Sequence, residues 1–180
     1  DQNTAGGMNR RDFVRLGTAA GIGAGMAAMG RGAVAAVPEG LGAPPELRFA
    51  APPIENVRIG FVGVGGMGTG HVRNLLNIEG CQITAVCDIV EERVSSVQKM
   101  VEDKGFPKPA GYSRGDWDFQ RMCAEEDLDL VYTATPWRWH VPVCVAAMEN
   151  GKHAATEVPA AYTVEDCWKL VENAEKHKKH

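Results

Sequence analysis

Val57 to Asp88 reads VRIGFVGVGGMGTGHVRNLLNIEGCQITAVCD, and the fold follows from it. Val57 to Val62 is a short apolar run of the kind a strand buried on both faces carries. It turns into Gly63-Val64-Gly65-Gly66-Met67-Gly68, a G-x-G-x-x-G with one extra glycine inside. Val72, Leu75, Leu76 and Ile78 then recur at helical spacing, and Gly80 closes the segment. A second apolar run, Ile83 to Cys87, ends on Asp88, twenty residues past Gly68. Each part has a physical task. Gly63 permits the tight turn, Gly65 lets the backbone approach a pyrophosphate, and Gly68 lets the helix lie close to the strand. Free N–H groups and the dipole at the helix start hold the phosphate charge. Asp88 can accept from ribose hydroxyls and would repel a 2′-phosphate, which favours NAD over NADP. A glycine-rich turn alone is weak evidence. Framed by strand, helix and acid it points to a dinucleotide, although domains holding an adenosyl ligand can share the pattern.

The chain of 180 residues has room for one domain. Its net charge of −4 and the lack of a basic patch interleaved with aromatics argue against a nucleic-acid surface. Five cysteines (Cys81, Cys87, Cys123, Cys144, Cys167) form no C-x-x-C pair. They read as buried free thiols, and no metal site is expected.

Residues 1–36 read as an address. Asn9-Arg10-Arg11-Asp12-Phe13-Val14-Arg15 sets two arginines before an aromatic and an aliphatic residue, and Leu16 to Gly30 is a Gly/Ala-rich, modestly apolar stretch. Ala33-Val34-Ala35 supplies a small-residue cleavage site. The layout is that of a twin-arginine export signal, which implies the export machinery as a partner and a periplasmic or secreted product. The stretch is too short and glycine-rich for a stable membrane span. A disordered Gly/Ala tail is the alternative. Residues 37–54 are a Pro/Ala-rich linker, and the folded domain is expected over 55–180.

Beyond Asp88 the pattern alternates. Val90 to Asp103 is helical, and Tyr112 is read as starting a short strand. Asp116 to Ala124 is a helix with Asp116 as N-cap. Leu128 to Ala134 is a strand, Val141 to Met148 a helix, and His153 to Thr156 a strand. Thr163 to Asp166 is a capping motif opening a last helix through Lys176. Strand–helix alternation implies α/β, a doubly wound parallel sheet. Ligands of such sheets sit at the strands' carboxyl ends. Those ends carry the glycine turn, Asp88, Thr135-Pro136-Trp137-Arg138-Trp139-His140 and Glu157-Val158-Pro159. Trp137 and Trp139 fit either a ligand or a partner domain, and His140 either a cofactor contact or a packing role.

Val57 to Gly68, Asp88, Thr135-Pro136 with His140, and Gly151-Lys152-His153 leading to Glu157-x-Pro159 resemble the Gfo/Idh/MocA group of nicotinamide-dependent sugar enzymes. The resemblance covers about 57–180. Ordinary dehydrogenases of that group carry Glu-Lys-Pro where this chain has Glu157-Val158-Pro159, and valine cannot carry the lysine's proton. The segment from Thr135 to Glu172 is similar to the glycoside hydrolase family 109 branch, whose activity is α-N-acetylgalactosaminidase. That likeness implies hydrolysis by transient C3 oxidation with retained NAD⁺, elimination across C2–C1, water addition and re-reduction. It places Gly66 and Met67 at the pyrophosphate, beside the motif glycines Gly63, Gly65 and Gly68, and Asp88 at the adenosine ribose. Trp137, Arg138, Trp139, His140, Glu157 and Val158 would lie near the second ribose and nicotinamide. His140 and Glu157 are the weak catalytic candidates within the chain. The general base is expected beyond His180, in a substrate domain absent from these residues. The implied substrate is a glycoside bearing N-acetylgalactosamine, and a homo-oligomer is left open. An exported dehydrogenase or epimerase of the same fold, or a non-catalytic dinucleotide- or sugar-binding module, remains as an alternative.

Overall fold

The computed structural model describes residues 51–180. The export signal over 1–36 and most of the linker over 37–54 lie outside the described residues. The elements are β1 (Val57–Val62), α1 (Gly66–Leu75), β2 (Cys81–Cys87), α2 (Glu91–Asp103), β3 (Ala110–Tyr112) and α3 (Asp118–Glu125). They continue with β4 (Leu130–Thr133), a 3₁₀ turn (Trp137–Trp139), α4 (His140–Glu149), β5 (His153–Thr156) and α5 (Val164–His177).

All five strands are parallel, in the order β3-β2-β1-β4-β5. The chain winds outward from β1 in both directions, so the β1/β4 boundary is the topological switch point. Period-two alternation gives each strand two apolar faces, and the helices divide between them. Ile59, Phe61, Ile83 and Val86 meet Val72 of α1 and Val94, Val97 and Val101 of α2. On the other face Val62, Ala85, Cys87 and Val131 meet Phe119, Met122 and Cys123 of α3 and Val143, Ala146 and Ala147 of α4. Gly60 lets α3 and the segment after it come close, because a Cβ there would lie 3.1 Å from Met122 Cε and 2.6 Å from Leu128 Cδ1. At the amino-terminal edge the Arg58 guanidinium grips Asp129 through Nε and NH2, both at 2.9 Å, and the Arg58 N–H adds a third bond of 2.9 Å. This holds the Asp129 carboxyl down at about 2.

Several expectations are corrected. Asp116 is not the N-cap of α3, since the helix begins at Asp118 behind Trp117 with no side-chain cap. Asp118 anchors the turn instead, accepting the Arg114 N–H at 2.9 Å and pairing with Arg121. Tyr112 ends β3 and does not start it. Thr163 does cap α5, its hydroxyl accepting the Asp166 N–H at 3.0 Å. The five cysteines are all free, but only Cys87, Cys123 and Cys144 are buried; Cys81 is half-buried and Cys167 exposed. Desolvation pushes each of the three buried thiols up to about 12. No helix among the described residues is long and apolar enough to cross a membrane.

Candidate cofactor site

The turn from β1 into α1 is built by two glycines and left open by two others. Gly63 has φ +83, and a Cβ there would lie 2.8 Å from Thr135 Cγ2; its N–H donates to Cys87 O at 2.7 Å. A Cβ on Gly68 would fall 1.9 Å from Gly63 O, so α1 could not start where it does. Gly65 and Gly66 are different. A Cβ on Gly66 would meet nothing within 4 Å, and one on Gly65 only Arg93 NH1 at 3.8 Å. Protein packing therefore does not require glycine at either position. Their missing side chains clear space in front of the α1 N-terminus, which has no side-chain cap and no acid in its first turn. Uncapped N–H groups facing cleared space fit a phosphate. Met67 is exposed beside them.

At the end of β2, Asp88 is 7% exposed. Its Oδ2 accepts the Val64 N–H at 2.9 Å and its Oδ1 the Val90 N–H at 2.9 Å. The carboxylate thus ties the glycine turn to the start of α2. Arg93 NH1 stands 3.5 Å from Asp88 Oδ1. A cation in the first turn of a helix opposes the dipole, and the Asp88 charge supplies its compensation. Between the ends of β2 and β4 lies a cavity of about 150 Å³, lined among others by Asp88, Ile89, Arg93, Asp116, Thr135 and Trp139.

Past β4 the four aromatic and basic residues part company. Trp137 is half exposed and meets Tyr162 edge-on, with ring centroids 5.7 Å apart. Trp139 packs edge-on against Trp117 at 4.8 Å and Phe119 at 6.0 Å, while the Arg138 guanidinium lies 5.4 Å over its ring. His140 is 0% exposed. Its Nδ1 faces Pro159 O at 2.8 Å and its Nε2 faces Thr135 O at 2.9 Å. Both nitrogens face backbone carbonyls, so the ring stands behind the crevice wall between the two loops that carry them. The start of α4 turns His140 inward, in the manner of the packing role that its place after the strand also allowed.

Past β5, Glu157 is held by its N–H to Thr133 O at 3.1 Å, and its side chain reaches His71 of α1. Val158 is 79% exposed. The Asp88 side chain bonds the glycine turn, and backbone bonds tie Gly63 to Cys87, Ala134 to Val62 and Glu157 to Thr133 at one end of the sheet. The structure therefore gathers Gly63 to Gly68, Asp88, Trp137, Arg138, Glu157 and Val158 around the switch point, and keeps His140 enclosed beside them. His71, Arg93, Tyr132 and Asp116 line or brace this end without having been singled out from the sequence for such a role. For Arg93 a local signal existed, a basic residue where a helix start disfavours one. Among the described residues no group of three or more His, Cys, Asp or Glu is placed to hold a metal.

Comparison with known proteins agrees with this geometry. Residues 57–180 match the Gfo/Idh/MocA profile, described as an oxidoreductase family with an NAD-binding Rossmann fold. A glycosyl hydrolase family 109 protein of Saccharopolyspora erythraea is 39% identical over 181 residues, covering 100% of this chain and 39% of that protein. An alpha-N-acetylgalactosaminidase of Bacteroides fragilis is 46% identical over 134 residues, covering 74% of this chain and 31% of its own. The chain thus spans well under half the length of these relatives. Among solved structures, the WlbA dehydrogenase of Chromobacterium violaceum, in complex with NADH and UDP-GlcNAcA, superposes with a TM-score of 0.63 at 28% identity. It covers 73% of this chain and 36% of that one. A scyllo-inositol dehydrogenase of Lactobacillus casei with bound NAD(H) shares the fold at 23% identity and a TM-score of 0.59, over 68% of this chain and 34% of its own.

Proposed function

The chain belongs to the Gfo/Idh/MocA family of NAD-binding oxidoreductases, and from that premise we propose that it is the NAD-holding part of an exported glycosidase acting on α-N-acetylgalactosaminides. The observation that carries this reading is Val158. It lies exposed at the end of β5, where a sugar dehydrogenase of the group would carry its proton-transferring lysine. The Bacteroides fragilis relative, an alpha-N-acetylgalactosaminidase, supports the same substrate.

The residues divide the work. The cleared N-terminus of α1, at Gly65 to Gly68, takes the pyrophosphate. Asp88 receives the adenosine ribose, and the cavity beside Arg93 and Trp139 receives the adenine. The other half of the dinucleotide then extends across the switch point toward Trp137, Glu157 and Val158. Glu157 is held below the usual carboxylate range by the Val158 N–H and by His71. It therefore stays ionised at neutral pH and serves as an acceptor, not as a proton donor. Bound NAD supplies a reversible hydride acceptor, which makes a redox-neutral cleavage of the glycoside chemically accessible without a carboxylate pair flanking the bond. Residues 1–36 direct the folded, cofactor-loaded protein to the twin-arginine route.

The test uses the full-length protein with p-nitrophenyl α-N-acetylgalactosaminide in deuterated water. Release of p-nitrophenol without added reductant, with deuterium entering C2, is expected. Cleavage with no exchange at C2 would overturn the redox route. Net accumulation of NADH would instead identify a dehydrogenase, and NAD binding with neither activity a binding module.

A further inference from the structure

Beneath the 157–158 turn three side chains from separate elements converge. His71 stands near the middle of α1 with Nε2 against Glu157 Oε1. Glu157 Oε2 accepts the Val158 N–H at 3.2 Å. Tyr132 of β4 faces the same carboxylate, and burial followed by that negative charge pushes its hydroxyl pKa up. The rings pack as well: His71 stacks on Tyr132 at 5.3 Å and 29° between planes, and Tyr132 lies tilted 4.9 Å from Phe61 of β1. The His71 and Glu157 side chains are 24% and 26% exposed. Partial burial strengthens the charge-assisted contact compared with one in open water.

The position of this cluster gives it a use. The front of α1 faces the pyrophosphate, whereas Glu157 and Val158 lie across the switch point from Asp88. A dinucleotide that spans the crevice must match the separation between those two places. His71 joins them, since it rides on the helix that binds phosphate and grips the turn at the far end.

We propose that His71 is a positioning residue: with Tyr132 it locks the Glu157 carboxylate and so sets the spacing between the phosphate-binding helix and the turn that receives the nicotinamide half. The inference rests on the dinucleotide placement proposed above. It concerns the nicotinamide half alone, because Asp88, Arg93 and the cavity that takes the adenosine touch none of the three side chains.

That asymmetry supplies the test. NAD and ADP are titrated calorimetrically against the full-length protein and its variants. His71→Ala is expected to weaken NAD about tenfold, in line with losing one charge-assisted hydrogen bond, and to leave ADP within about twofold. His71→Gln, which keeps a donor near the Nε2 position, is expected to recover most of the loss. NAD affinity unchanged in His71→Ala, or NAD and ADP weakened by the same factor, would overturn the proposal. Wild-type protein that bound neither ligand would overturn the placement and this inference with it; tight wild-type binding with an indifferent His71→Ala would overturn this inference alone.

Discussion

Asp88 spends both carboxylate oxygens inside the fold, on the N–H groups of Val64 and Val90. Oδ1 also meets Arg93, but Oδ2 keeps a further lone pair, so the residue can hold the turn and still receive a ribose hydroxyl. Asp88→Ala is therefore expected to do two things. It should weaken NAD retention, and it should lower the stability of the cofactor-free protein by about 1–3 kcal/mol, the range for stranding buried donors. Urea unfolding with NAD removed separates the two; lost retention at unchanged stability would mean that the carboxylate does not brace the turn. His140 marks the limit of reading at this scale. A histidine just past a strand end suits a ligand contact and a loop clasp equally, and only the folded structure shows that this one is buried with a backbone carbonyl facing each nitrogen.

Strands and helices were legible wherever apolar spacing ran long, as in α2, where Val94, Val97 and Val101 are all buried. The start of α3 was less so. Asp116 and Asp118 offer the same acid two residues apart, and the choice between them depends on Arg114 and Arg121. The Arg58–Asp129 contact between β1 and the start of β4 is likewise tertiary. It carries a pH signature. Asp129 is depressed in the folded state, first by the Arg58 side chain, to about 2. Its stabilisation is complete above the unfolded carboxyl value of about 4 and is lost as pH falls toward about 2. Asp129→Asn should cost about 1 kcal/mol at pH 7, a figure reduced for screening because the Arg58 side chain is 37% exposed. The difference from wild type should vanish near pH 2 in urea unfolding. A difference that persisted there would assign it to lost hydrogen bonds and not to charge.

For the molecule as a whole, the proposed route out of the cell and the proposed chemistry constrain each other. A protein that loads NAD before export must cross the membrane folded, and Cys87, Cys123 and Cys144 buried in the core with strongly raised thiols then meet an oxidising compartment already shielded. Replacing Arg10 and Arg11 by Lys is expected to leave the full-length protein, with its NAD, in the cytoplasm; cell fractionation checks this. Unchanged export would remove the twin-arginine reading and leave the nucleotide site untouched. The sequence by itself determined the parallel sheet, the glycine turn and the acid that closes the second strand, because apolar period, glycine spacing and strand-end position are properties of neighbouring residues. Tertiary structure alone decided what each polar group at the crevice touches. His71 meets Glu157 and His140 meets the Pro159 carbonyl because the parallel sheet carries the ends of separate strands, and the helices that follow them, to one edge, where residues far apart in sequence become neighbours.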